Sequence, residues 1–344
     1  MSKSVKLGIV GAGAIAHAYA TAIGNTEGVD LVAVVDPEPG VAAALADKYT
    51  ALPLASHREL LNGGACDAVI VSAPPSTHED LVLDSIAAGM PVLCEKPFTT
   101  DGASARRMAN AAREAGVLVA MASKFRYVDD LHVARDMIVA GEIGSVKLIE
   151  NVFTGVVDMT NRWNANKAVS GGGVLIDNGT HSADVIRYLA GPIRSVSAAA
   201  GPRFQPVGVE DHVFAYMQTT RGVRATVETS WSVHKDRFAY IGIYGTKGSI
   251  ELGWKNSRIR RDKTGPWESF GTGYDKFAAF AGQVADFANG VAGKPTRCLG
   301  DLEDAIASVD VVSAGYASIA DGGRWVAVEE ASSRPRLEVL EAVS

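Results

Sequence analysis

Short apolar runs alternate with helical stretches through the first 121 residues. Val5–Val10, Val29–Val35, Asp67–Ser72, Pro91–Cys94 and Val117–Met121 read as strands; Ala14–Ile23, Val41–Tyr49, Glu79–Ala88 and Ala103–Ala115 read as helices between them. A strand that is apolar on both faces needs cover from both sides, and intervening helices supply it. The pattern predicts an α/β fold with a doubly wound parallel sheet, whose ligands bind at the carboxyl ends of the strands.

The rhythm changes after about Lys124. A helical stretch, Asp130–Ala140, leads to a strand at Val146–Phe153 and a polar loop carrying Asn161-Arg162-Trp163-Asn164. The run Gly171-Gly172-Gly173 opens a helical segment through Leu189. From Ile193 to Leu252 strand follows strand, which predicts a large, mostly antiparallel sheet with one buried face. Helical stretches at Tyr274–Asn289 and Leu302–Ile319 close the chain. A length of 344 residues fits two domains. The expected division is 1–124 for nucleotide binding and 125–344 for substrate binding and oligomerisation.

Net charge is −6 and no basic stripe stands out, so nucleic acid is not an expected partner. Cys66, Cys94 and Cys298 are too scattered for a metal site or a disulfide framework, and suit a reducing compartment. The start, MSKSVKLGIVGAG, lacks the uninterrupted apolar core of a signal peptide, and no run is long enough to span a bilayer. The expectation is a cytoplasmic protein without membrane or metal partners.

Strand one runs into IVGAGAIAHAYA, where Gly11, Gly13 and Ala16 fit G-x-G-x-x-G/A. The first glycine permits a tight turn, the second lets backbone approach a pyrophosphate, and the alanine lets helix pack on strand. Glycines also punctuate ordinary turns, so the motif takes its meaning from context. The second strand ends in Asp36, about twenty residues past the motif, where a carboxylate can accept from both ribose hydroxyls. It would repel a 2′-phosphate, and neither Pro37 nor Glu38 compensates, so NAD is expected over NADP.

Two further constellations carry chemistry. In MPVLCEKPFTT an apolar run stops at Glu95-Lys96-Pro97, at the carboxyl edge of the nucleotide fold. An ammonium there can hydrogen-bond a carbinol or carbonyl oxygen, and desolvation beside a cationic ring would lower its pKa toward neutrality. Glu95 can steady it, and the bond before Pro97 tolerates the cis form. By composition alone, a surface Glu–Lys pair is the simpler reading. In SGGGVLIDNGTHSADVIRYLAG, Asp177, His181 and Asp184 share one helical face, and the glycines would let backbone approach a ligand. A carboxylate one turn from an imidazole can orient it as a base. The plainer readings are a helix-start acid and a satisfied core histidine.

Together, Gly11-x-Gly13-x-x-Ala16, Glu95-Lys96-Pro97 and Gly171-Gly172-Gly173…Asp177-x-Gly179-x-His181-x-x-Asp184 resemble the Gfo/Idh/MocA oxidoreductases over nearly the whole chain. The Ala140–Gly144 turn and Gly245-Thr246-Lys247-Gly248 add to the likeness. The resemblance implies a Rossmann domain, an open antiparallel sheet, and reversible hydride transfer between NAD(P) and a sugar or cyclitol carbinol. It makes Lys96 the catalytic lysine, Asp177 a substrate-binding acid and His181 a proposed general base, with Lys96 and His181 a coupled pair.

Candidate cofactor contacts are Gly11, Gly13, Ala14, Ile15, Asp36, Ala73, Pro74, His78, Glu95 and Lys96. Candidate substrate contacts are Arg126, Trp163, Asn164, Asp177 and His181, with Lys167 nearby, in a pocket expected between Lys96, His181 and the second sheet. Pro75 stands where the family commonly has Asn, and Arg126 lacks the usual following proline, which touches local contacts and not the fold. Lacking a phosphate-recognition cluster, the chain suits a neutral sugar or cyclitol. Alternatives are an NAD-dependent glycosidase and a non-catalytic nucleotide-binding sensor. A homodimer or homotetramer is expected, because the strands of 211–252 have a second face to cover.

Overall fold

The structure is a computed structural model that describes residues 4–328. It divides into two compact units, Met1–Tyr127 with Lys276–Ile306, and Val128–Asp275 with Ala307–Ser344.

The first unit opens with β1 (Val5–Val10), α1 (Ala14–Gly24), β2 (Val29–Val35), α2 (Pro39–Ala46), β3 (Leu52–Leu54), α3 (His57–Gly63), β4 (Ala68–Val71), α4 (His78–Ala87), β5 (Val92–Cys94), α5 (Gly102–Ala115) and β6 (Val119–Met121). The strands form one parallel sheet in the order β3-β2-β1-β4-β5-β6, the doubly wound arrangement with its switch point beside β1. β4 and β5 are buried along their whole length, as strands covered on both faces must be. The sequence reading passed over β3 and α3. β3 is a short edge strand carrying Pro53, so it has no apolar signature. α3 starts at Ser56, whose hydroxyl accepts from the Arg58 amide at 3.2 Å, and its Leu60 packs where Gly8 leaves room in β1.

The second unit holds α6 (Asp129–Val139), β7 (Val146–Thr154), α7 (Lys167–Ser170), α8 (Val174–Ala190), β8 (Ile193–Ala200), β9 (His212–Thr219), β10 (Arg224–Ser230), β11 (Ala239–Gly245), β12 (Ser249–Gly253), β13 (Ser257–Arg260) and β14 (Glu268–Phe270). α9 (Lys276–Val291), α10 (Leu302–Ala320) and β15 (Val326–Ala327) follow. The second sheet runs β14-β13-β12-β11-β7-β10-β9-β8-β15 and is antiparallel except between β7 and β10. It extends past Leu252 through β13 and β14, which the sequence reading left out. β9 shows its two faces: Val213, Ala215 and Met217 are buried, while Phe214 and Tyr216 are 45% and 58% exposed. α8 packs against β7, β9 and β10.

A single division at 124/125 does not describe these units, because the chain returns. Phe280, Val284 and Phe287 of α9 are fully buried in the same core as Leu7, Ile9 and Tyr19, and the Tyr19 and Phe280 rings meet edge-on at 4.9 Å. The small side chains of α1 leave the space that the α9 phenylalanines fill. In the second unit, the Ala140–Gly144 turn meets the β11–β12 hairpin: Lys247 and Gly248 amides both donate to the Ile143 carbonyl.

Candidate active site

β1 delivers the chain into Gly11, which has φ +94, a conformation that strains any other residue. A methyl group there would lie 2.6 Å from the Ala73 nitrogen, so the end of β4 presses on the turn. Ser72 secures this contact, donating from Oγ to the Gly11 carbonyl at 2.8 Å and from its amide to the Val10 carbonyl at 2.8 Å. Gly13 is different. It is exposed, and a methyl there would meet no heavy atom within 4 Å. Neither φ nor packing requires glycine at that position. A glycine that the fold does not need, at the start of a helix with no side-chain cap and no acid in its first turn, fits close approach by a pyrophosphate. Ala14 is exposed and Ile15 half-buried beside it, while Ala16 is fully buried against the sheet.

Asp36 follows β2 and is held in place by the same turn. Its Oδ2 accepts from the Ala12 amide at 2.9 Å and its Oδ1 from the Glu38 amide at 3.0 Å. Each carboxylate oxygen keeps capacity for a second donor, so the fixed group can still accept from a ribose.

Ala73 and Pro74 are half-buried beyond β4. His78 is fully buried, contrary to its assignment as a cofactor contact. Its Nε2 lies 2.9 Å from the Ala73 carbonyl, and its Nδ1 lies 3.0 Å from the Pro97 carbonyl and 3.3 Å from that of Phe98. Burial pushes its pKa down, so the ring is neutral and donates to one side at a time. Its place is behind the loops, spacing the turn after β4 from the turn after β5.

The turn after β5 is built on a buried acid. The Glu95 amide donates to the Val71 carbonyl at 2.8 Å, extending the β4–β5 ladder by one bond. Its carboxylate is buried and accepts from Tyr19 Oη at 2.6 Å through Oε1 and from the Lys96 amide at 3.0 Å through Oε2. Burial pushes the Glu95 pKa up, against the pull of Lys96, the Tyr19 hydroxyl and Lys124. Lys96 itself is half-buried, and the Lys96–Pro97 peptide is cis. The sequence reading missed Tyr19 and Lys124. Their only signals were a tyrosine in an alanine-rich helix and a lysine three residues past β6; Lys124 Nζ sits 5.3 Å from the Phe125 ring centroid.

Arg126 was expected at the substrate. Its guanidinium is buried in the first unit, 3% exposed, and donates from Nη1 to Asp304 Oδ2 at 2.8 Å. A paired, buried guanidinium of this kind ties the 124–127 turn to the start of α10.

In the second unit, α8 carries Asp177, His181 and Asp184 at the expected spacing. Asp177 Oδ2 accepts from Trp231 Nε1 at 3.1 Å, a partner that the sequence reading did not name. A buried indole must place its one donor, and the carboxylate takes it. His181 is 8% exposed and meets the Phe153 ring edge-on at 6.4 Å; Asp184 is buried. Packing accounts for two of the three glycines: side chains at Gly172 and Gly173 would overlap Tyr316 Oη and the Glu210 carbonyl. Glu210 Oε1 accepts from the Gly173 and Leu175 amides at 3.0 and 3.1 Å, and from Tyr316 Oη at 2.7 Å. Trp163 and Asn164 lie in a one-turn helix before α7, with Trp163 46% exposed; Lys167 is exposed too.

Residues 5–123 match the oxidoreductase family with an NAD-binding Rossmann fold, and residues 131–251 match the GFO/IDH/MocA C-terminal domain. The 1,5-anhydro-D-fructose reductase of Ensifer adhaerens is 30% identical over 71% of this chain and 74% of its own length. The inositol 2-dehydrogenase of Corynebacterium glutamicum is 25% identical over 80% of this chain and 84% of its own. An NAD binding oxidoreductase from Klebsiella pneumoniae superposes with a TM-score of 0.86 at 25% identity, covering 95% of this chain and 100% of the other.

Proposed function

The chain belongs to the Gfo/Idh/MocA oxidoreductases, and from that premise we propose that it moves a hydride between NAD and a secondary alcohol of a neutral sugar or cyclitol. What carries the reading is the turn after β5. Lys96 stands there with its backbone amide on a buried carboxylate, in the unit whose Gly13 and Asp36 suit the pyrophosphate and the adenosine ribose of a dinucleotide.

Bound NAD supplies the hydride acceptor in oxidation, and its reduced form the donor in the reverse direction. Gly13 and the uncapped amides of α1 take the pyrophosphate, and Asp36 accepts from the ribose and repels a 2′-phosphate. Lys96 Nζ takes the proton leaving the alcohol and returns it in the reverse reaction. In the second unit, Asp177 is offered as the acid that holds substrate hydroxyls and His181 as a general base; Trp231 keeps the Asp177 carboxylate aimed. Exposed Trp163 and half-buried Asn164 are offered as further substrate contacts. Residues 1–124 would bind the cofactor, and the segment from 125 onward would bind substrate and bring copies of the chain together through the exposed β9 face at Phe214 and Tyr216. No helix among the described residues is long and apolar enough to cross a membrane. The free thiols of Cys66, Cys94 and Cys298 support a reducing, cytoplasmic setting.

The test is absorbance at the NADH band with NAD and a panel of inositols, aldohexoses, amino sugars and sugar acids. A substrate-dependent rise is expected, and Lys96→Met should lower it about 10²–10⁴-fold while NAD still binds. NAD binding without reduction by any alcohol, or Lys96→Met turning over at the wild-type rate, would overturn the proposal.

A further inference from the structure

The pairing of Tyr19 with Glu95 spans 76 residues of sequence and joins the dinucleotide helix to the lysine turn. Both groups are buried. The tyrosine ring is fixed edge-on against Phe280, so its hydroxyl has little freedom to point elsewhere. The other carboxylate oxygen takes the Lys96 amide, which locks the acid to the residue beside it. We propose that Tyr19 is a positioning residue for the reaction: its hydroxyl holds the Glu95 carboxylate against Lys96 and thereby sets how often the Lys96 amine is free of its proton.

The chemistry is a competition for one proton. Glu95 and Lys96 can share it as carboxylate and ammonium or as carboxylic acid and amine, and the two states belong to the pair. Tyr19 donates to the carboxylate and favours the first. Burial favours the second, and it is the largest influence on Glu95. The groups around the acid are Tyr19 on α1, Cys94 and Lys96 on its own strand and turn, and Lys124 on the 124–127 turn; Tyr127 faces Tyr19. Burial and the Glu95 charge push the Tyr19 and Cys94 pKa values well up, so both stay protonated and Tyr19 remains a donor. Lys124 adds a second positive charge on the side of the carboxylate. Removing the Tyr19 hydroxyl leaves packing intact and tilts the shared proton toward Glu95.

The proposal rests on Lys96 as the proton-transfer group, but its test needs no substrate. Trace acetic anhydride labels amines only when they are unprotonated. The labelling of Lys96 would be followed by peptide mass spectrometry against pH, in wild type, Tyr19→Phe and Glu95→Gln. Glu95→Gln, which removes the partner charge, should speed labelling near neutral pH about tenfold, and Tyr19→Phe about threefold. Both effects should vanish at high pH, where the amine is neutral in every variant. General loosening would instead raise labelling at all pH values, and of Lys124 too. A Tyr19→Phe profile that superposes on wild type, an increase that persists at high pH, or a Glu95→Gln profile that does not move would each overturn the proposal. A failed substrate panel would count against the reaction and leave this result standing.

Discussion

Two helices in this protein start from glycines, and their starts are partnered differently. At α1, the first turn carries no acid and no side-chain cap, and Gly13 has no protein atom within reach of a side chain. At α8, the amides are already taken: Glu210 accepts from Gly173 and Leu175, Tyr316 Oη accepts from Gly173 and Ile176, and Asp177 stands in the first turn. A helix start offers unpaired amides and a positive end to one anion. At α8 that anion is Glu210, supplied by the chain. At α1 the nearest acid described, Asp36, takes the Ala12 amide ahead of the helix and no side chain caps the helix itself, which suits the proposed phosphate. Glycine content is therefore a poor guide to ligand binding; what stands in front of the glycine decides.

The largest test is a swap of readouts. Gly13→Ala should lower NAD affinity about 10- to 100-fold, as expected when charge-assisted bonds of about 1.5–3 kcal/mol are lost, and lower stability by no more than about 1 kcal/mol, the cost of a poorer N-cap. Isothermal titration and thermal unfolding read the two quantities. Gly173→Ala should do the reverse. Its methyl meets the Glu210 carbonyl, and overpacking costs about 1–3 kcal/mol, so stability should drop with NAD affinity kept. If both variants lose NAD affinity, or both keep it, the two starts do not differ in what they bind. A smaller effect is expected at the far end of the dinucleotide. Asp36→Ser with Pro37→Arg should shift the NADP/NAD affinity ratio by about tenfold or more. Pro37 is chosen because it is exposed, whereas Val35 is buried in β2. An unchanged ratio would mean that Asp36 does not touch the ribose.

The same contrast shows what a sequence makes legible. Gly11, Gly13, Asp36 and the Glu95–Pro97 triplet lie within short motifs at fixed offsets from strands, so the parallel sheet and its switch-point loop could be read locally. Contacts between distant segments could not. The partners of Glu95 and Asp177 stand 76 and 54 residues away, and nothing near Tyr19 or Trp231 names an acid. The buried stripe of α9 announced a helix with one apolar face but not that it would return to α1. Arg126 and His78 show the same limit: the sequence places each beside a motif but does not name its partners, Asp304 for one and three carbonyls for the other. The Ala140–Gly144 turn and the Thr246–Gly248 turn were each visible, but their bonding to each other was not.

Glu210→Gln gives the smallest effect and the finest division of the comparison. The amide oxygen keeps the acceptor geometry toward Gly173, Leu175 and Tyr316, so only the charge at the α8 start is lost. A charge at a helix terminus contributes about 0.3–1 kcal/mol, which for a unit of this size moves a thermal midpoint by roughly 2–4 °C per kcal/mol. Glu210→Ala removes the acceptor as well, leaves several donors short of a partner, and should cost about 1–3 kcal/mol. The gap between the two variants separates charge from hydrogen bonding at this cap. Neither should change NAD affinity, because Glu210 is engaged by the Gly173 and Leu175 amides and by Tyr316. A change in NAD affinity in Glu210→Gln, with stability held, would make α8 a participant in cofactor binding and end the distinction between the two starts.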